Sequence, residues 1–195
     1  MTLVFNASPV IILAKAGLLE KVLGMATNVL IPQPVADEIR RCGDPFDPAA
    51  LWLNRPESSS YIVSAPPASG FVAAWDLGEG ESSVISLAEQ NPESTAVLDD
   101  LAARRCAEAL HLKLVGTLGL LLMAKKRGVI VSIRDSMDSI VAAGLFHQNT
   151  LPSSGSARTN NVDSTVESLF FLTPDRTFKN TAGWPSLYTD PKNHS

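Results

Sequence analysis

Hydrophobic positions in this chain come in short runs, and helix-length segments with a broader apolar period separate them. Leu3-Val4-Phe5 predicts a short buried strand. Ser8 reads as an N-cap with Pro9 in the first turn, opening a helix that continues from Val10 to Ala16 and stops at Gly17. A second helix is expected over Leu18 to Leu23, and a strand over Asn28 to Ile31 that Pro32 closes. Pro34 then begins a helix that reaches Arg41. From Cys42 to Trp75 prolines and serines break the pattern, with room for one short strand near Tyr61-Ile62-Val63. Leu77-Gly78-Glu79-Gly80-Glu81 reads as a loop leading into a helix that runs to about Gln90. Ala96 to Leu98 predicts a strand, Leu101 to Leu110 a helix, and Lys113 to Gly116 another strand. Thr117 reads as the cap of a helix ending at Gly128, and Ser136 to Ala143 as a final short helix. Strands alternating with helices at this spacing predict an α/β fold, a parallel sheet covered on both faces.

The pattern changes after about residue 148. The remaining stretch is rich in Ser, Thr, Asn and Pro, has no helical period, and balances its charges. Only Val166 to Leu172 has the makings of a strand or short helix. The expected organisation is one domain over residues 1–147, followed by a polar tail over 148–195 that is weakly ordered or irregularly docked.

With 195 residues, 45% of them hydrophobic, the chain can build a proper core. No apolar run reaches the roughly 18–20 residues that span a bilayer. The first residues lack the basic stretch of a signal peptide, so a cytoplasmic protein with no membrane association is expected. Cys42 and Cys106 are far apart and read as free thiols, while His111, His147 and His194 form no cluster. A histidine-based metal site or a Ser-His-Asp triad is therefore poorly supported. The net charge of -4 gives no general basic character. Arg104-Arg105 and Lys125-Lys126-Arg127 are local basic patches, and each alone reads more readily as a solvated helix face than as a phosphate site.

Acidic residues change the picture. Val97-Leu98-Asp99-Asp100 ends a strand in two adjacent carboxylates, at the rim where open α/β sheets bind ligands. Two neighbouring acids repel each other and are best tolerated beside a cation or water, although Asp also suits a helix N-terminus. Asn6 ends the first strand, where it either caps the next helix or faces the same rim. Glu38 follows the second strand, with Arg40 and Arg41 as alternative partners on an exposed face. Glu79 and Glu81 open the helix after the long loop, where acids also compensate the helix dipole. Being two residues apart they do not share a direction, and Glu81 is the better site candidate. Clustered oxygen donors without His or Cys suit hard cations such as Mg2+ or Mn2+, which serve many nucleases.

Taken in order, Asn6-Ala7-Ser8-Pro9-Val10-Ile11, Val35-Ala36-Asp37-Glu38-Ile39, Gly78-Glu79-Gly80-Glu81 and Leu98-Asp99-Asp100 resemble the PIN-domain family of metal-dependent ribonucleases. Ala102 to Ala107 and Val115 to Leu121 continue the resemblance to a VapC-like toxin branch, over residues 2 to about 147. The resemblance implies a PIN-like three-layer α/β/α sandwich around a parallel sheet, and hydrolysis of RNA phosphodiesters with Mg2+ or Mn2+. It also implies a toxin held inactive by a small antitoxin protein, in a family that commonly forms homodimers. Carried over residue by residue, Glu38, Glu81, Asp99 and Asp100 become catalytic and metal-site candidates, and Asn6 stands where an Asp is usual. One of Asp99 and Asp100 is enough to supply the ligand. Ser8, Arg104 and Arg105 become candidates for contacting the RNA. The amide at Asn6 keeps a carbonyl donor but removes a charge, which leaves open a catalytically weakened module that binds RNA or a protein partner. A receiver domain or a haloacid-dehalogenase-type phosphatase would need acids immediately after the first strand, where Asn6-Ala7-Ser8 stands.

Overall fold

A computed structural model describes residues 1–142, apart from 42, 43 and 45. The expectations for the segment beyond residue 142, including the tail, lie outside the described residues. The elements in chain order are β1 (Thr2–Phe5), α1 (Ala7–Lys15), α2 (Leu19–Leu23), β2 (Asn28–Pro32), α3 (Gln33–Arg41) and α4 (Pro48–Leu53). A 3-10 turn (Pro56–Tyr61) leads to β3 (Ile62–Val63), α5 (Gly70–Ala73), α6 (Glu79–Gln90) and β4 (Ser94–Val97). Then come α7 (Leu101–Ala109), β5 (Leu114–Val115), α8 (Thr117–Lys126) and α9 (Ile133–Ala142).

The five strands form one parallel sheet in the order β3-β2-β1-β4-β5. Leu3, Val4 and Phe5 of β1 are fully buried, as a central parallel strand covered on both faces requires. Connections from β1 through β3 move one way across the sheet, and those from β3 through β5 move back past β1. Right-handed crossovers put α1 and α2 on one face and α6 and α7 on the other, while α3 packs on α6 as well as on α1 and α4. Helix α1 packs against α2, α3, α4, α8 and α9, and α6 lies against β1, β2, β4, α3, α5 and α7. This is the α/β/α sandwich expected from the strand–helix alternation. The direction of travel reverses between β1 and β4, so the crevice at their carboxyl ends is the topological switch point, where such sheets place their ligands.

Several boundaries differ from those expected. Helix α1 begins at Ala7 with Asn6 in the N-cap position, so Ser8 lies within the first turn and is not the cap. Gly116 takes the N-cap position of α8, leaving Thr117 as its first residue. Helix α9 begins at Ile133, three residues before Ser136. The stretch expected to be irregular holds α4, the 3-10 turn and α5 as well as β3. Asp47-Pro48 supplied a readable start for α4, because Asp47 accepts from the Ala49 amide at 2.8 Å and Pro48 occupies the first turn.

Candidate metal centre at the switch point

The carboxyl end of β1 delivers Asn6 to the crevice. Its amide donates to the Val97 carbonyl at 3.2 Å, extending the β1–β4 ladder by one bond. The residue is 2% exposed, and although it occupies the N-cap position its side chain makes no capping bond. Its Nδ2 donates instead to Oε1 of Glu81 at 3.2 Å. Because a carboxylate can only accept, this bond fixes which end of the amide faces Glu81. The other end, Oδ1, is buried with no hydrogen-bond partner among the described residues. An unsatisfied buried carbonyl oxygen costs about 1–3 kcal/mol, so it marks a place where a donor or a cation is wanted.

Glu81 reaches Asn6 because of where α6 begins. Gly78 is the N-cap, and Glu81, three residues on, folds its Oε2 back over the Gly78 backbone. Gly80 faces the opposite acid. A Cβ on Gly80 would stand 2.5 Å from Oε2 of Glu38 and 3.2 Å from Oδ1 of Asn6. Glycine at position 80 thus leaves room for the Glu38 carboxylate and the Asn6 amide, which a Cβ would displace. Glu79 is exposed at the start of the same helix.

Glu38 comes from α3, the helix directly after β2. Its carboxyl is held above the ordinary carboxylate range, first by partial burial and then by the negative charge of Glu81, with Arg41 pulling the other way. The like-charge effect shows that the two acids share one electrostatic environment. Arg40, the other arginine weighed as a partner, pairs with Asp37 at 3.5 Å. Pro34, Glu38, Arg41, Gly78, Glu79, Gly80 and Glu81 line a cleft of about 440 Å³. A larger cleft of about 820 Å³ opens at the amino edge of the sheet, beside Asn28 at the start of β2. It contains the stacked rings of Trp52 and Tyr61 and an Arg55–Glu20 ion pair, but no cluster of carboxylates.

The strand-end acids divide. Asp99, half-buried beyond β4, accepts from the Thr117 amide at 2.8 Å through Oδ1 and from the Thr117 hydroxyl at 2.6 Å through Oδ2. Both of its oxygens are thus oriented by the first residue of α8. Asp100 is exposed and caps α7, its Oδ1 accepting from the Ala103 amide at 2.9 Å. Asn6, Glu38 and Glu81 therefore meet around Gly80, with Asp99 on the neighbouring strand of the same edge. Among the described residues no three His, Cys, Asp or Glu side chains stand close enough to hold an ion by themselves. The set at Gly80 consists of two carboxylates and an amide. These are all hard oxygen donors, one is an orphaned buried oxygen, and the two acids repel each other. That chemistry fits a divalent cation of the Mg2+ or Mn2+ class.

Of the residues expected to contact substrate, Arg104 is half-buried and donates from Nη1 to the Leu98 carbonyl at 3.2 Å. Arg105 and Ser8 are exposed. From the sequence, Gly78 and Gly80 read only as loop residues and Thr117 only as a helix cap. Alternating glycines and acids at a helix start were the available signal, since glycine there implies close backbone approach. The pairing of Thr117 with Asp99 spans 18 positions and left no local signal.

Among the described residues no helix is long and apolar enough to cross a membrane. No curated protein matches the sequence. A family model described as a PIN domain matches residues 2–157, and the parallel sheet with its acidic switch point agrees with it. The chain belongs to the PIN-domain family, whose fold is that of a nuclease.

Proposed function

We propose that this protein is a ribonuclease that hydrolyses RNA phosphodiesters with Mg2+ or Mn2+, and that it serves as the toxin of a toxin–antitoxin pair, restrained by a small antitoxin protein. The observation that carries the nuclease reading is the orphaned Oδ1 of Asn6, buried beside Glu38 and Glu81 at the switch point. The toxin role rests on family membership and on the order of the motifs. In this reading Asn6, Glu38 and Glu81 hold the cation, and Asp99 completes the set from the next strand. Asp100 belongs to the helix cap. The ion supplies charge for a phosphoryl oxygen and an activated water. The protein's own part is orientation: Asn6 fixes the Glu81 carboxylate, Thr117 fixes that of Asp99, and Gly80 leaves room for that of Glu38. Glu38, held above the ordinary range, takes up a proton more readily than a free carboxylate does. Arg104 and Arg105, midway along α7, and Ser8, in the first turn of α1, are the side chains offered to RNA phosphates.

Asn6 also favours a second reading. One charge fewer than four carboxylates weakens attraction for a divalent ion, as a module that binds RNA or a protein without cutting would tolerate. Purified protein incubated with a panel of structured RNAs, with and without Mg2+ or Mn2+, tests the proposal beside a Glu81→Gln control. Divalent-dependent cleavage that the control loses supports the enzyme. RNA binding without cleavage in either metal supports the module.

A further inference from the structure

Arg104 is the arginine that α7 places beside the strand-end acid Asp99. Its side chain runs from α7 back over the end of β4 to the Leu98 carbonyl, the residue just before Asp99. There the guanidinium and the Asp99 carboxylate flank one spot on the β5–α8 connection. A Cβ on Gly116 would lie 3.0 Å from Asp99 Oδ1 and 3.2 Å from Arg104 Nη1. A larger residue there would push both side-chain ends aside by a few tenths of an ångström. Among the described residues Arg104 makes no ion pair, and its guanidinium bonds one neutral carbonyl, as that of Arg127 bonds the Met25 carbonyl. Most of the donors of its planar fork are left unspent. A half-buried arginine has an anchored stem and loses less freedom on binding than an exposed one, and its fork matches the oxygens of a phosphate. Arg105, next in sequence, is exposed and has no such anchor.

Building on the ribonuclease reading, we infer that Arg104 is a substrate-contacting residue that grips a phosphate of the RNA backbone on the β5 side of Asp99, next to the phosphate that is cut. The order along the rim supports this placement. Asn6, Glu38 and Glu81 lie on the β1 side, Asp99 at the end of β4, and Arg104 and Gly116 toward β5. An RNA strand following the rim meets the acidic centre and the guanidinium in succession. Asp99 is turned toward Thr117 and its charge faces Arg104, so the cation also limits repulsion between that acid and the incoming backbone.

The test uses the full chain and a short fluorescein-labelled single-stranded RNA in calcium, with anisotropy read across a range of salt. Wild type, Arg104→Ala, Arg104→Lys and a charge-matched Lys21→Ala on α2 are compared. Arg104→Ala should weaken binding about tenfold and reduce the salt slope by about 0.7, the share of one phosphate contact on a single strand. Arg104→Lys should keep the slope and lose part of the affinity, since an ammonium lacks the fork. In cleavage assays with Mg2+, Arg104→Ala should raise KM more than it lowers kcat. A merely structural Arg104 predicts an unchanged slope in both variants, and that result overturns the inference while leaving the ribonuclease reading intact. Wild type that fails to bind the RNA at all overturns both. Arg104→Lys guards against misfolding, because it retains the stem and a donor for the Leu98 carbonyl.

Discussion

Asn6 and Glu81 are 75 positions apart, yet the Nδ2 of one donates to the Oε1 of the other at 3.2 Å, which leaves the Asn6 Oδ1 buried without a partner. The bond turns an amide at a strand end into a directional donor set. It ties Glu81 in place and aims a carbonyl oxygen into the space shared with Glu38. The same bond makes the site sensitive to charge at position 6.

Replacing Asn6 with Asp removes the donor and sets a carboxylate against Glu81. Without metal, stability should fall by about 1–2 kcal/mol from the lost bond and the added repulsion. With metal it should recover, and affinity for Mg2+ or Mn2+ should rise about tenfold as the charge of the donor set grows. Calorimetric metal titration and thermal unfolding of Asn6→Asp beside wild type check both signs. Equal affinity in the two proteins would place Asn6 outside the metal's ligands.

Gly80→Ala separates folding from the site. Alanine in a helix gains up to about 1 kcal/mol over glycine. Against this, the new Cβ meets Glu38 Oε2 at 2.5 Å and Asn6 Oδ1 at 3.2 Å. A carboxylate at the end of a flexible side chain moves cheaply, so the melting temperature should stay within a few degrees, about 3 °C. Metal affinity and cleavage should drop clearly, because the move takes Glu38 out of register with Asn6.

Thr117→Val keeps the shape of the side chain and removes the hydroxyl that donates to Asp99 at 2.6 Å. A loss of about 1–2 kcal/mol is expected for a charged acceptor left with one of two donors. Cleavage should fall more than RNA binding, since Asp99 loses its orientation. Asp100→Asn provides the contrast: asparagine caps a helix about as well as aspartate, so stability and cleavage should both be nearly unchanged.

The raised pKa of Glu38 has a pH signature. The folded protein holds this proton more tightly than the unfolded chain does. The associated stability is fully present below the ordinary carboxylate range and is lost as pH rises through the folded value. Glu38→Gln should abolish that loss. At neutral pH without metal it should melt about 2 °C above wild type, a small gain because the side chain is largely open to solvent. Adding Mg2+ should stabilise wild type more than Glu38→Gln. Scanning calorimetry at several pH values reads both effects.

By itself the sequence determined the α/β alternation, the strands β1, β2 and β4, and the candidates Asn6, Glu38, Glu81 and Asp99. Each depends on a local pattern: a three-residue apolar run such as Leu3-Val4-Phe5, a proline at Pro32 or Pro34, or acids next to a strand or helix end. Local patterns also misled. Ser8 looked like a cap because serine before proline usually is one, whereas the β1–β4 ladder carries the backbone to Asn6 and starts the helix there. Only the tertiary structure decided which acids stand together. Parallel pairing of β1 with β4, across the reversal of chain direction, brings Asn6 to Val97 and hence to Asp99's edge. The packing of α3 on α6 brings Glu38 to Glu81 through Gly80. Helix capping takes Asp100, and the start of α8 orients Asp99. A carboxylate's role depends on the donors and charges within a few ångströms of it, and in this protein most of those neighbours are distant in sequence.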